Sequence, residues 1–289
     1  MKRVLCALIA IMLLASWAYA EETGGSNWQN ILFMGGDSRS TEKYERTDCM
    51  MIVSINEEEG EIKLTSIMRD TWVKMPGRSK KAKINAANVY GGPELAMETV
   101  NSCFGTDIDK YVLVNMSDLV DIVDLAGGVD LTITESERIH TNGNAIGFIN
   151  GIRDYDGDTV LEHAGDVHMN GLLAVAYTRD RSTDSDYGRV MRQQKMLIAL
   201  AAAFQNMDIN DLMEIVGDVQ ALLNTNLDAE ELKALAMRAM AADVEYIEQF
   251  RIPVDGTFDS GLINGTWKIV PDFDKNEKLL NEFIYGEAE

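Results

Sequence analysis

The chain has 289 residues, 46% of them hydrophobic, and a formal net charge of −21. That length can bury one large core or two smaller ones. The acidity argues against sequence-independent binding to DNA or RNA, which requires clustered Lys and Arg, so no nucleic-acid partner is expected.

The chain begins with a basic start (Lys2, Arg3), an apolar run from Val4 and the small-x-small pattern Ala18-Tyr19-Ala20. This is the form of a secretory signal peptide over residues 1–20. A short membrane anchor is the alternative, because the apolar run is at the low end of spanning length. Either reading exports the remainder to the cell envelope, and no composition break divides residues 28–286 into two domains. Of the three cysteines, Cys6 lies in the export segment. Cys49 and Cys103 sit in apolar patterns, which favours two buried thiols over a disulfide.

"NILFMGG" (30–36) reads as a buried strand ending in glycines, and residues 48–70 as a hairpin turning over Asn56 to Gly60. "TWVKMPG" continues as strand and turn. Pro93 and Gly105 mark the start and end of a helix. Residues 111–115 suit a strand, Ser117 a helix cap, and "VDLTI" another strand. Residues 134–168 lack periodicity and read as one long loop. "NGLLAVAY" is a short helix and residues 187–207 a longer amphipathic one. "INDLMEIVGDVQALL" and "DAEELKALAMRAMAA" follow as helices, "VEYIEQFRIPV" and "GTWKIVP" as strands. This interleaving predicts an α/β fold, an α-β-α layered sandwich around a mixed central sheet, in a single domain.

Two charge clusters carry chemistry. "GGDSRSTEKYERTDCMMIV" sets Asp37, Arg39, Arg46 and Asp48 against an apolar strand, where unpaired charge is expensive. Spacing alone favours pairing of Asp37 with Arg46 or Asp48 with Arg39. The alternative is an oxygen-ligand site for Mg²⁺. "YTRDRSTDSDYGRVMRQQ" carries Arg179, Arg181, Arg189 and Arg192. These suit bidentate phosphate recognition, or a surface network with Asp180, Asp184 and Asp186. Arg189, Arg192, Gln193 and Lys195 open a helix, where positive side chains oppose the dipole unless an anion sits there. The three histidines lack metal-ligand spacing and read as surface residues. "DYDGD" (154–158) has its glycine misplaced for a calcium loop.

Five ordered segments are together similar to the LytR-CpsA-Psr family of bacterial cell-wall glycopolymer transferases. They are "GGDSRSTEKYERTDCMMIVSIN", "LTSIMRDTWVKMPG", "KINAANVYGGPELAMETVN", "DLAGGVDLTI" and "AVAYTRDR…DYGRVMRQQ". The resemblance implies an extracytoplasmic phosphotransferase. Such an enzyme moves an anionic glycopolymer, such as teichoic acid or capsule, from a polyprenyl diphosphate carrier onto peptidoglycan, working at the membrane surface. It implies Mg²⁺ or Mn²⁺ on Asp37 and Asp48, with Arg69, Arg179, Arg181, Asp186 and Arg189 as catalytic residues. Arg39, Arg46, Lys83 and Gln193 would bind substrate, and an apolar tunnel would take the lipid. Met68 stands where the family usually has proline, before Arg69. Diphosphate hydrolysis and a non-catalytic lipid-binding or regulatory role are the competing expectations.

Overall fold

The computed structural model describes residues 27–36, 44–56, 58–149, 155, 157–180, 186–241 and 246–286. A six-stranded sheet in the order β10-β3-β2-β1-β6-β9 forms its centre. β1 (Trp28–Gly36) lies antiparallel to β2 (Thr47–Asn56), which turns into antiparallel β3 (Ile62–Ile67). β6 (Lys110–Asn115) is parallel to β1, and β10 (Glu248–Ile252) is parallel to β3. The short β9 (Asn224–Thr225) closes the β6 edge. β1, β3, β6 and β10 therefore all end at the same edge of a mixed sheet.

Alternation along the strands supplies two apolar faces. Leu32, Met34, Met50 and Ile52 face one side and pack with α1 (Ala87–Phe104) and α8 (Phe273–Tyr285). Phe104 and Phe273 meet there at 5.9 Å between ring centroids. Ile31, Phe33, Val53 and Ile55 face the other side, toward α5 (Asp186–Asn206), α6 (Ile209–Leu222) and α7 (Ala229–Ala241). The expected three-layer sandwich is what forms.

A lateral unit extends this sandwich. α2 (Met116–Leu125), β7 (Val129–Ile133), α3 (Glu135–Ile149), β8 (Gly165–Met169) and α4 (Gly171–Thr178) share one core around Val123, Leu172 and Tyr177. A Cβ at Gly171 would stand 2.0 Å from the Val120 carbonyl oxygen, so α4 reaches α2 only because this residue is glycine. Two further ribbons pack together past the end of β3. β4 (Trp72–Val73) pairs with β5 (Ala82–Lys83), and β11 (Phe258–Ile263) pairs with β12 (Thr266–Pro271).

Several expectations are corrected. Residues 134–168 are not one loop, since α3 and β8 lie within them. α3 is polar and weakly periodic, but Thr134 and Glu137 close a capping box. Glu137 Oε2 accepts from the Thr134 amide at 2.9 Å, and Thr134 Oγ1 accepts from the Glu137 amide at 3.3 Å. The cap of α2 is Asn115 rather than Ser117, its side chain accepting from the Asp118 amide. A short helical stretch from Ala87 precedes the expected helix in α1; after non-helical Gly91 and Gly92, Pro93 opens the main stretch and Gly105 caps it, as expected. α8 and β11 add elements the periodicity did not reveal. Cys49 and Cys103 are free thiols, half-buried and buried.

Candidate active site

The site lies where the parallel strands end, the edge at which open α/β sheets bind ligands. In the β1–β2 ladder Gly35 pairs with Cys49 and Gly36 with Thr47, so Asp48 is an extra residue in a bulge. A bulge re-aims a side chain at a strand end. Gly35 fits the close approach, because a Cβ there would meet Cys49 Cβ at 3.0 Å. Asp48 is met from β3's end by Arg69, whose Nη1 donates to Oδ1 at 2.8 Å with both side chains mostly buried.

Asp48 lines a cavity of about 60 Å³ whose polar end is formed with Arg179, Arg189, Gln193 and Asn115 and whose remaining wall is apolar, called the polar cavity for that end. Arg179 follows α4 as its C-cap. Arg189 and Gln193 sit four residues apart on α5 and so share a helical face. Arg189 is 3% exposed. Burial pushes the Cys49 thiol up to about 12, against the opposing pull of the Arg189 charge.

The fourth arginine of the cluster serves another purpose. Arg192 is buried and turned away from the cavity, and its Nη2 donates to the Asp180 carbonyl at 2.9 Å. Its Nη1 stands 3.7 Å from Glu137 Oε1, to which Tyr177 also donates, at 3.3 Å. Buried Asp180 lies 3.8 Å from His140, so His140 is a half-buried member of this support and not a plain surface residue. The network pins the segment carrying Arg179 to α5 and α3. It corrects the simpler reading of all four arginines as one anion clamp or one surface network.

Other expected residues fall outside the cavity. Lys83 is paired with Asp70 at 2.7 Å, one residue past Arg69. Arg46 is exposed two residues before Asp48. Asp37, Arg39 and Arg181 lie outside the described residues, as does the side chain of Asp186, the first residue of α5. Asn115 and Cys49 line the cavity without having been singled out. The turn signal of "VNMSD" was the available cue for Asn115.

Behind the polar cavity lies apolar space. A chamber of about 280 Å³ is lined by α5, α6, α7 and the sheet, with Gln220 its single polar lining residue. A second apolar chamber of about 200 Å³ adjoins it. Phe33 and Leu197 line the polar cavity and both chambers, so charged and apolar spaces lie side by side against these two side chains.

The LytR_cpsA_psr family profile matches residues 19–284. The chain belongs to this family. It is 31% identical over 264 residues to the polyisoprenyl-teichoic acid–peptidoglycan teichoic acid transferase TagU of Bacillus cereus (strain AH820), covering 89% of this chain and 78% of the relative. It is 28% identical over 213 residues to the TagU of Enterococcus faecalis, covering 72% and 64%. Among solved structures, B. subtilis TagV superposes with a TM-score of 0.71 at 27% identity, over 91% of this chain and all of that one. TagT bound to LIIa-WTA superposes at 0.72 and 22% identity, over 91% and 93%, a likeness of fold.

Among the described residues no three His, Cys, Asp or Glu side chains converge as a metal site. The bulged Asp48 is a carboxylate, the donor type a hard cation takes, with its Oδ1 engaged by Arg69 in this structure. Mg²⁺ commonly takes one or two protein carboxylates and completes its shell with water and substrate phosphate.

Proposed function

We propose that the chain is a cell-wall phosphotransferase that moves an anionic glycopolymer from a polyprenyl diphosphate carrier onto peptidoglycan, the class of reaction named for its TagU relatives. The observation that carries this reading is the adjacency at Phe33 and Leu197. These side chains border both an arginine-lined cavity and apolar chambers, which suits a substrate with a charged head and a hydrocarbon tail.

In this reading Arg69, Arg179 and Arg189 take the diphosphate oxygens in a largely buried setting, where electrostatic stabilisation is strong. Arg181, Arg39 and Arg46 add charge from the flanking segments, Gln193 completes the binding set, and Lys83, paired with Asp70, steadies the segment after Arg69. Asp48, with Asp37, would hold Mg²⁺ or Mn²⁺, which when bound neutralises diphosphate charge. A peptidoglycan hydroxyl attacks the phosphorus bearing the glycopolymer. The new P–O bond forms as the bond to the bridging oxygen breaks, and polyprenyl phosphate leaves. Asp186 orients the hydroxyl and accepts its proton. The apolar chambers keep the lipid dry, and the protein works outside the cytoplasm, at the boundary between membrane and wall, released there or held by its N-terminal segment. No described helix is long and apolar enough to cross a membrane.

The test supplies purified protein with a lipid-linked donor and peptidoglycan. Radiolabelled polymer appearing in the wall fraction supports transfer. Release of free polymer phosphate at the same rate with and without peptidoglycan would assign hydrolysis instead.

A further inference from the structure

The β4–β5 hairpin concentrates positive charge in an acidic protein. Lys74, Arg78, Lys80, Lys81 and Lys83 are five of the 26 Lys and Arg, and no Asp or Glu intervenes between Asp70 and Glu94. Lys83 is used in the stem, paired with Asp70. Lys74, Arg78, Lys80 and Lys81 are exposed in the connecting loop, and none is ion-paired to a carboxylate among the described residues.

This loop is held in place. Arg78 stacks on Tyr90 of α1 with its guanidinium carbon 3.6 Å from the ring centroid. The Arg78 amide closes a turn onto the Met75 carbonyl at 3.2 Å. Its stem is continuous with the site, because the Ile84 amide donates to Thr71 at 2.8 Å and the Asn85 amide to Arg69 at 3.4 Å. The cations therefore extend outward from the segment that presents Arg69.

We propose that Lys74, Arg78, Lys80 and Lys81 form a docking track for the anionic repeat units of the glycopolymer, phosphodiester or carboxylate, beyond the cavity that takes its diphosphate end. This rests on the transfer reading above. Like any polyelectrolyte contact, the track neutralises repeating charge and displaces counterions, so its grip weakens with salt. An anionic bilayer fits less well. Interfacial membrane binding pairs cations with a broad exposed apolar face, whereas Val73 and Met75 of the hairpin are buried and only Val89 and Tyr90 of α1 are exposed beside it, Tyr90 being covered by Arg78.

The experiment replaces all four, Lys74→Gln, Arg78→Gln, Lys80→Gln and Lys81→Gln, in the full chain. A control carries Lys233→Gln, Lys275→Gln and Lys278→Gln on α7 and α8. Binding of fluorescent soluble poly(glycerol phosphate) is expected to weaken about tenfold in the hairpin variant, since each exposed ion pair contributes roughly a factor of two. It should not change in the control. Transfer from a polyprenyl diphosphate bearing one uncharged disaccharide should be unaffected, while KM for a polyanionic donor rises about tenfold.

Equal polymer binding by wild type and hairpin variant would overturn the track. So would equal loss of transfer from both donors, or loss of binding to phosphatidylglycerol vesicles with polymer binding intact. If the wild type transfers neither donor, the transferase reading fails while the polymer-binding result still decides this one.

Discussion

The two faces of the central sheet are built from the same strands and used differently. On the α1/α8 face, Leu32, Met34 and Ile52 are essentially without solvent exposure, and the layer is filled. On the α5–α7 face, their neighbours Phe33 and Val53 stay partly exposed, because about 280 Å³ of apolar space lies against them. Packing density is the normal state of an interior. A face left open beside a charged cavity is therefore better understood as a ligand site than as poor packing. One side of the sheet holds the fold together, and the other leaves the room that the proposed lipid diphosphate needs.

The largest effect should come from the charged end of the open face. Arg69→Ala removes the partner of Asp48, and transfer should fall by about 10²–10³, the usual cost of one electrostatic donor. Steady-state transfer assays check this, and activity within a factor of three of wild type would remove Arg69 from the machinery. On the filled face, Ile52→Ala should cost roughly 2–5 kcal/mol in urea unfolding, the range for truncating a buried aliphatic side chain. Val53→Ala, one residue along but facing the chamber, should cost distinctly less. Equal losses would erase the contrast between the faces.

Filling the open side is the converse. Val216→Trp places a large ring in the chamber, with transfer from a long-chain polyprenyl donor expected to fall about tenfold. The thermal midpoint should hold within a few degrees, as cavity filling tends to be neutral or stabilising. Unchanged KM for the long-chain donor would mean the lipid goes elsewhere.

The smallest effect separates the two thiols. Burial raises Cys49 to about 12 and Cys103 to about 11. Both thiols are protonated in the folded state at neutral pH. Their contribution to stability is complete below the unfolded thiol value of about 8.5 and declines as pH rises from there toward 11 and 12. At pH 9, iodoacetamide labelling should be slow for both. Bound polyprenyl diphosphate should slow it further at Cys49, which lines the cavity, and leave Cys103 in the filled layer unaffected. Mass spectrometry of the two peptides reads this directly.

The sequence made some of this legible. β1 and the β2–β3 hairpin carry long apolar runs bounded by glycine and charge, and α5 has strong helical spacing. Local pattern was enough there. α3 was missed because its signal lies in the Thr134–Glu137 capping box rather than in apolar periodicity. α8 was missed although Asp272 caps it and Leu280 and Ile284 give it a buried stripe. The site divides the same way. Arg189 and Gln193 share a helix face, so their convergence follows from spacing. The Asp48–Arg69 contact spans 21 residues and depends on a bulge between Gly35 and Gly36, which spacing does not disclose. Arg192 is the counterexample, since its neighbours in sequence suggested a clamp and its contacts with Asp180 and Glu137 assign it to support.

The central claim is that the polar cavity and the apolar chambers form one site for a lipid diphosphate. A crystal structure with polyprenyl diphosphate tests it most directly. The account predicts the diphosphate against Arg69, Arg179 and Arg189, with the hydrocarbon passing Phe33 and Leu197 into the space beneath α6 and α7. A lipid chain lying outside that passage, with the chambers still empty of hydrocarbon, would contradict it.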